Sequence, residues 1–351
     1  MANATSFDDD ILSDGSKAGA VLSLAAAILN AVVLRSMLKH RATLLALQPD
    51  SSRLVAIIIS MSLLLALQYA AMHIADAAAI VDSIGTIPDI LLASASFTTL
   101  TVIFSANMLL AFTKYFRIRY DRRLPLTVIK MTLAAGFTFS VFFIASFVPT
   151  TSIGGALWTY TPLPLPILFP KVNAQTILFI LALCYFFFCA IGIGVFYENS
   201  YFLIMAVFQE SDVESVLTFP TNPSRTSDTS SPYPSEEEPH VENDLLKMHM
   251  TSLMRYIAMS IGFVVFYGPA VVCIITSIFK RDVLLNQWAQ FFVRWITPLG
   301  PLATPGFAVF CFMELRNVVF EDWRRKTGVD ATTGSVKENQ AGVIEGVDTK
   351  A

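Results

Sequence analysis

Apolar residues in this chain do not alternate with polar ones; they gather into seven long stretches. A helix that crosses a bilayer needs about 20 mostly apolar residues. By that measure span 1 covers Ala18–Leu38, span 2 Leu54–Ala75, span 3 Ile90–Tyr115 and span 4 Thr127–Val148. Span 5 begins near Asn173. Its apolar run is interrupted at Glu198 and Asn199, so the crossing is taken to Tyr197 and the remainder to Phe208 as an extension. Span 6 covers Met254–Phe279 and span 7 covers Leu285–Phe312. A short amphipathic segment, Glu314–Lys326, follows. Leu315, Val318, Val319, Phe320 and Trp323 form its apolar face, with Arg316, Arg324 and Arg325 toward water. The pattern predicts an all-α membrane protein, a seven-transmembrane helix bundle with a short amphipathic eighth helix.

Composition agrees. Hydrophobic residues make up 54% of the chain and charged residues 15%, against about 25% charged in a typical soluble domain. The mean hydropathy is +0.60. Residues 1–17 carry Asp8, Asp9, Asp10 and Asp14 without an apolar core, so no cleavable signal peptide is expected and span 1 serves for targeting. Cys184, Cys189, Cys273 and Cys311 all lie inside apolar stretches and read as small buried hydrophobes.

Charge sets the expected orientation, because cytoplasmic loops carry an excess of Lys and Arg. The loop after span 1 holds Arg35, Lys39, Arg41 and Arg53. The loop after span 3 holds Lys114, Arg117, Arg119, Arg122, Arg123 and Lys130 against Asp121. Asp76, Asp82 and Asp89 lie at the other side with the acidic N-terminus; Lys280 and Arg281 run against the trend. The expected layout has an extracellular N-terminus (1–17), a transmembrane domain (18–326) and a cytoplasmic tail (327–351). Residues 209–247, between spans 5 and 6, are rich in Ser, Thr, Pro and acids and are expected to be disordered. Asn3-Ala4-Thr5 is a glycosylation sequon on the outer side.

Several function classes drop out. No Gly-rich phosphate loop, metal-binding helix motif or nucleophile elbow occurs, so an enzyme is not expected. His40, His73, His240 and His249 lack zinc-like spacing, and no metal is expected. No cofactor or nucleic-acid partner is expected either. A microbial-type retinal protein needs a lysine in the seventh helix, and Leu285–Phe312 has none. A multi-pass transporter or channel for a small polar solute remains the alternative. Pro298, Gly300, Pro301 and Pro305 fit a broken helix, but no repeat relates spans 1–3 to spans 5–7.

The polar and proline positions inside the spans carry a further pattern. Span 1 reads Leu29-Asn30-Ala31-Val32-Val33, and span 3 ends in Thr113-Lys114-Tyr115-Phe116-Arg117-Ile118. Span 6 reads Phe263-Val264-Val265-Phe266-Tyr267-Gly268-Pro269, and span 7 holds Thr304-Pro305-Gly306-Phe307-Ala308. In their joint order these resemble the motifs of rhodopsin-like (class A) G protein-coupled receptors. Asn30 falls at the family's helix 1 Asn, Lys114 at its helix 3 Arg, Tyr267 at its helix 6 Trp and Pro305 at its helix 7 Pro. The departures are large. Thr113 replaces the Asp beside the cation, Ser62 replaces the helix 2 Asp of the sodium site, and Ala308 replaces the helix 7 Tyr. The outer cysteine pair, the helix 4 Trp and the helix 5 Pro are missing.

The resemblance implies a plasma-membrane receptor that couples an extracellular ligand to a heterotrimeric G protein. Lys114, Tyr115, Arg117 and Ile118 would face the G protein, and Asn30, Pro269 and Pro305 would serve as switch and kink positions. Pro269 removes a backbone hydrogen bond and lets span 6 pivot. Intramembrane charges mark function, and Arg294 lies 11 residues before Pro305, about 16 Å toward the outer face. It either meets an anionic ligand group or pairs with Asp76. His73, Asp76, Tyr69, Ser96, Thr99, Tyr267 and Gln290 complete the expected ligand site. Ser96 stands where amine receptors carry Asp, so a biogenic amine is not expected.

Overall fold

The structure is a computed structural model. It describes residues 4–47, 49–77, 86–152, 173–217, scattered positions between 250 and 267, residues 298–312 and 315–320, and Arg324. The helices in chain order are α1 (Ala4–Lys39), α2 (Arg41–Leu47), α3 (Pro49–Ala77), α4 (Thr86–Tyr120), α5 (Leu126–Ser152), α6 (Asn173–Leu217) and α7 (Leu299–Cys311). The described positions of span 6 are helical too, and no strand occurs among the described residues. Gly15–Lys39, Pro49–Ala75, Ser94–Tyr120 and Ile180–Ala206 are long and apolar enough to cross a membrane.

The helices follow from solvation. In lipid every backbone polar group needs a partner within the protein, and a helix supplies it within one segment. Several hydroxyls inside the spans are satisfied the same way. On α4, Thr98, Thr99, Thr101 and Ser105 each donate to the carbonyl four residues earlier, at 2.6–2.9 Å. The apolar side chains divide between two faces. Val21, Ile28 and Val32 on α1 are exposed, as are Ile180, Phe188 and Ile191 on α6; these face lipid. Leu54, Ile58 and Ile59 on α3, Leu109 and Leu110 on α4, and Ile193 on α6 face inward and form the core with Ala308 and Cys311 of α7.

Four boundaries differ from the expectation. α1 starts at Ala4, so most of the expected N-terminal tail is helical. The loop after span 1 contains α2, where Leu44 is buried and its carbonyl accepts from Ser52 Oγ at 3.0 Å. On α6 the stretch long and apolar enough to cross a membrane runs from Ile180 to Ala206, past Tyr197, with Glu198 and Asn199 exposed. The same helix then runs to Leu217, so residues 209–217 are helical although disorder was expected there. At 1.5 Å per residue its 45 residues reach about 67 Å, more than twice a hydrocarbon core. In the amphipathic segment Leu315 and Val318 are buried and Val319 packs on the core, but Phe320 is exposed.

The corner between α4 and α5 is tight. Asp121 has φ 47°, a left-handed conformation that short polar side chains tolerate. Its N–H closes the last turn on the Arg117 carbonyl at 2.9 Å. The Pro125 carbonyl then accepts from the Val128 and Ile129 amides, opening α5, and buried Leu124 pins the turn between them.

Candidate functional site

The middle of the bundle is organised by a proline. Pro305 lies inside α7 and has no N–H, so the Pro301 carbonyl one turn earlier loses its helical donor. The donor comes from another helix. Asn30 Nδ2 on α1 bonds the Pro301 carbonyl at 2.8 Å and the Ala26 carbonyl of its own helix at 2.8 Å. Asn30 is fully buried, so this bond cannot be exchanged for one to water. Asn30 Oδ1 and Ser62 Oγ are buried without a hydrogen bond among the described residues.

Span 6 and α7 cross through two reciprocal contacts. Tyr267 of span 6 lies on Gly300 of α7: a Cβ at Gly300 would stand 2.5 Å from Tyr267 Cζ and 2.8 Å from its hydroxyl. One to two turns away the roles reverse, and the Phe307 ring of α7 lies on Gly262 of span 6, where a Cβ would overlap it. The missing side chains let the two backbones approach, as small residues commonly do in membrane helix pairs. Phe104 of α4 meets Tyr267 edge-on, with centroids 6.4 Å apart.

A small cleft sits at this crossing, lined by Ile58, Asn107, Phe266, Tyr267, Gly300, Thr304 and Phe307. Its polar groups are Asn107, whose Nδ2 donates to the Ile103 carbonyl at 2.9 Å, and Thr304, whose hydroxyl donates to the Gly300 carbonyl at 2.8 Å. No group of His, Cys, Asp or Glu able to hold a metal ion occurs among the described residues.

Toward the end of the bundle where α3 finishes and α4 begins, the expected ligand residues are turned on one another. Ser96 Oγ of α4 donates to Gln68 Oε1 of α3 at 3.1 Å, and Gln68 Nε2 reaches Thr99 Oγ1 at 3.5 Å. All three are buried, so this rung ties α3 to α4. Tyr69 is buried as well. His73 packs between α3 and α1 against Gly19, where a Cβ would overlap the imidazole. Arg294, Gln290, Pro269 and Asn3 lie outside the described residues, as does the Asp76 side chain. The structure thus brings Ser96 and Thr99 together, while His73 faces the side wall between α3 and α1 and Tyr267 sits at the deeper crossing.

At the opposite end, where α4 finishes, Lys114 is half-buried, and Thr113 beside it is buried with its hydroxyl unbonded among the described residues. Tyr115 lies against Phe196 of α6, centroids 5.8 Å apart. Arg117 is exposed and Ile118 packs on the core. Sequence reasoning missed two parts of this frame. Ser105 of α4 and Tyr185 of α6 share a hydrogen bond at 2.6 Å, passing over Gly136 of α5, where a Cβ would meet the Ser105 hydroxyl at 2.7 Å. The Gly/aromatic pairs at the span 6 crossing were the other. A lone glycine within an apolar span was the available signal in each case.

The bundle has a counterpart among solved structures. The chain is similar to squid rhodopsin, as seen in a crystal structure, with a TM-score of 0.69 over 97% of this chain and 93% of that one. The chain has the rhodopsin-like seven-helix fold. Sequence identity in that match is 10%, so the likeness is one of fold. No family model and no curated protein matches the chain. A rhodopsin-like fold makes this a multi-pass membrane protein, with α1, α3, α4, α5 and α6 as spans 1–5 and α7 as the C-terminal half of span 7.

Proposed function

We propose that this protein is a plasma-membrane receptor that binds an extracellular ligand in the outer half of the bundle and activates a heterotrimeric G protein. The observation that supports it most is the crossing of span 6 and α7. There two aromatic-on-glycine contacts flank a small cleft, with the Gln68–Ser96–Thr99 rung toward one end of the bundle and Lys114 toward the other. Packed interfaces of this kind have discrete arrangements, so a small change at one end is converted into a repacking rather than a smooth bend. The ligand would contact Arg294, Gln290 and Asp76, with Tyr69, His73, Ser96, Thr99 and Tyr267 forming the floor and walls. Since Ser96 and Thr99 already bond Gln68, a polar ligand would have to offer better partners than these. Ser96, standing where amine receptors carry Asp, disfavours a biogenic amine.

The signal would pass through a pivot of span 6 at Pro269 and open an inner cleft lined by Lys114, Tyr115, Arg117 and Ile118. Lys114 lacks an acidic neighbour at position 113, so the inner end is less firmly held than an Arg–Asp pair would hold it. Basal activity is the expected consequence. Guanine-nucleotide exchange should run faster in membranes carrying this chain than in membranes carrying Lys114→Ala together with Arg117→Ala. A difference of about tenfold corresponds to roughly 1.4 kcal/mol of coupling, well within the usual range for linked sites. Equal exchange in both membranes, with solute uptake by the chain, would replace the receptor by the transporter reading.

The pivot makes a separate prediction. Pro269→Ala restores a backbone donor and straightens the helix. Ligand-driven exchange should fall several-fold while ligand affinity changes little. Parallel loss of binding and exchange would show that Pro269 shapes the pocket instead.

A further inference from the structure

The corner between α4 and α5 presents cations and bare apolar surface side by side. Arg119, Arg122, Arg123 and Lys130 are all exposed. Arg53, on the other side of this end of the bundle, pairs with Asp50 at 3.9 Å, whereas the four corner cations have no acidic partner among the described residues. Their backbone is held by the left-handed turn at Asp121, the Pro125 carbonyl that opens α5 and buried Leu124, so the charges are presented from a fixed turn.

Large apolar side chains lie among them. Tyr120 is 54% exposed and Met131 68%. From Lys130 the exposed side of α5 continues through Ala134, Phe137 and Val141, at steps of three and four residues. That periodicity keeps all four on one side of the helix. One continuous surface therefore begins with guanidinium and ammonium groups and passes into hydrocarbon within two turns.

We propose that this corner docks an anionic phospholipid of the cytoplasmic leaflet, one carrying several phosphates on its headgroup. Arg119, Arg122, Arg123 and Lys130 bind the phosphates, and the acyl chains lie along Met131, Phe137 and Val141. Charge complementarity selects the headgroup, since guanidinium groups match phosphate oxygens in a planar fork. The adjoining apolar face selects a lipid over a soluble phosphate, because a free headgroup would leave that face unused. The inference rests on the membrane-spanning fold and on the orientation that places this basic corner in the cytoplasm, and is independent of coupling to a G protein.

The test uses the full chain in detergent micelles and a fluorescent short-chain phosphatidylinositol bisphosphate, with binding followed by anisotropy. Each cation near an anionic surface is worth about 1 kcal/mol. Arg122→Gln, Arg123→Gln and Lys130→Gln together should therefore weaken binding roughly 100-fold. Arg35→Gln, Lys39→Gln and Arg41→Gln, which remove as many cations from the opposite corner, should leave it within about twofold. Thermal unfolding of each variant reports folding, and the single variant Lys130→Glu provides a milder test of the same corner. Equal weakening by both triple variants would mean diffuse attraction and overturn the site. Competition by inositol trisphosphate as strong as by the lipid would place a soluble phosphate there and overturn the lipid.

Discussion

Asn30→Leu is expected to destabilise the bundle by about 1–3 kcal/mol, the cost of leaving a buried backbone acceptor without a donor. The acceptor is the Pro301 carbonyl, deprived of its helical partner by Pro305 and reached by Asn30 at 2.8 Å. Leucine keeps the number of side-chain heavy atoms but adds volume at a fully buried site, so a rescue is needed to separate lost hydrogen bonding from overpacking. The logic supplies its own rescue. Pro305→Ala restores the N–H that bonds the Pro301 carbonyl within α7, so adding it to Asn30→Leu should recover most of the lost stability. Thermal unfolding in detergent, followed by fluorescence size exclusion, reads both effects. If the double variant is no more stable than Asn30→Leu, the carbonyl is not what Asn30 serves.

Gly300→Val carries the other large effect. The Tyr267 ring stands where the new Cβ would lie. The ring cannot simply rotate away, because Tyr267 is buried and Phe104 packs on its edge. Overpacking of a close-packed interior costs about 1–3 kcal/mol, and a β-branched side chain belongs at the upper end. Gly306 is the control on the same helix. A Cβ there meets nothing within 4 Å, so Gly306→Val should change the unfolding temperature little. Tyr267→Leu should restore part of the stability lost by Gly300→Val, because it removes the colliding ring. Independent, additive effects of the two substitutions would show that the residues do not interlock.

Both predictions concern contacts that sequence spacing did not reveal. Asn30 was legible as an amide that needs a buried partner, and Pro305 as a residue that breaks a ladder. That the Pro301 carbonyl freed by Pro305 meets Asn30, 271 positions away, was not. The same holds for Ser96 and Thr99. Their depth marked them as ligand contacts, but Gln68 of α3 engages both. Their rotation toward α3 depends on how the two helices are turned about their axes, and apolar stretches with lipid on one side and protein on the other carry little periodic signal of that rotation. α2 and the continuation of α6 to Leu217 were missed for a different reason. α2 is only seven residues long, and the sequence around 209–217 is polar, so neither carries a long apolar stripe to announce a helix.

The sequence by itself determined the all-α class, the membrane-crossing stretches and the concentration of cations at one end of the bundle. Hydropathy and charge belong to each residue, and a bilayer reads them without reference to the rest of the chain. Tertiary structure decided which glycine receives which ring, which side chain meets the carbonyl left by Pro305, and where cations adjoin bare apolar surface. These depend on helix rotation and close approach. Lipid is as apolar as the side chains it competes with, so packing and hydrogen-bond geometry choose the partners rather than hydrophobicity.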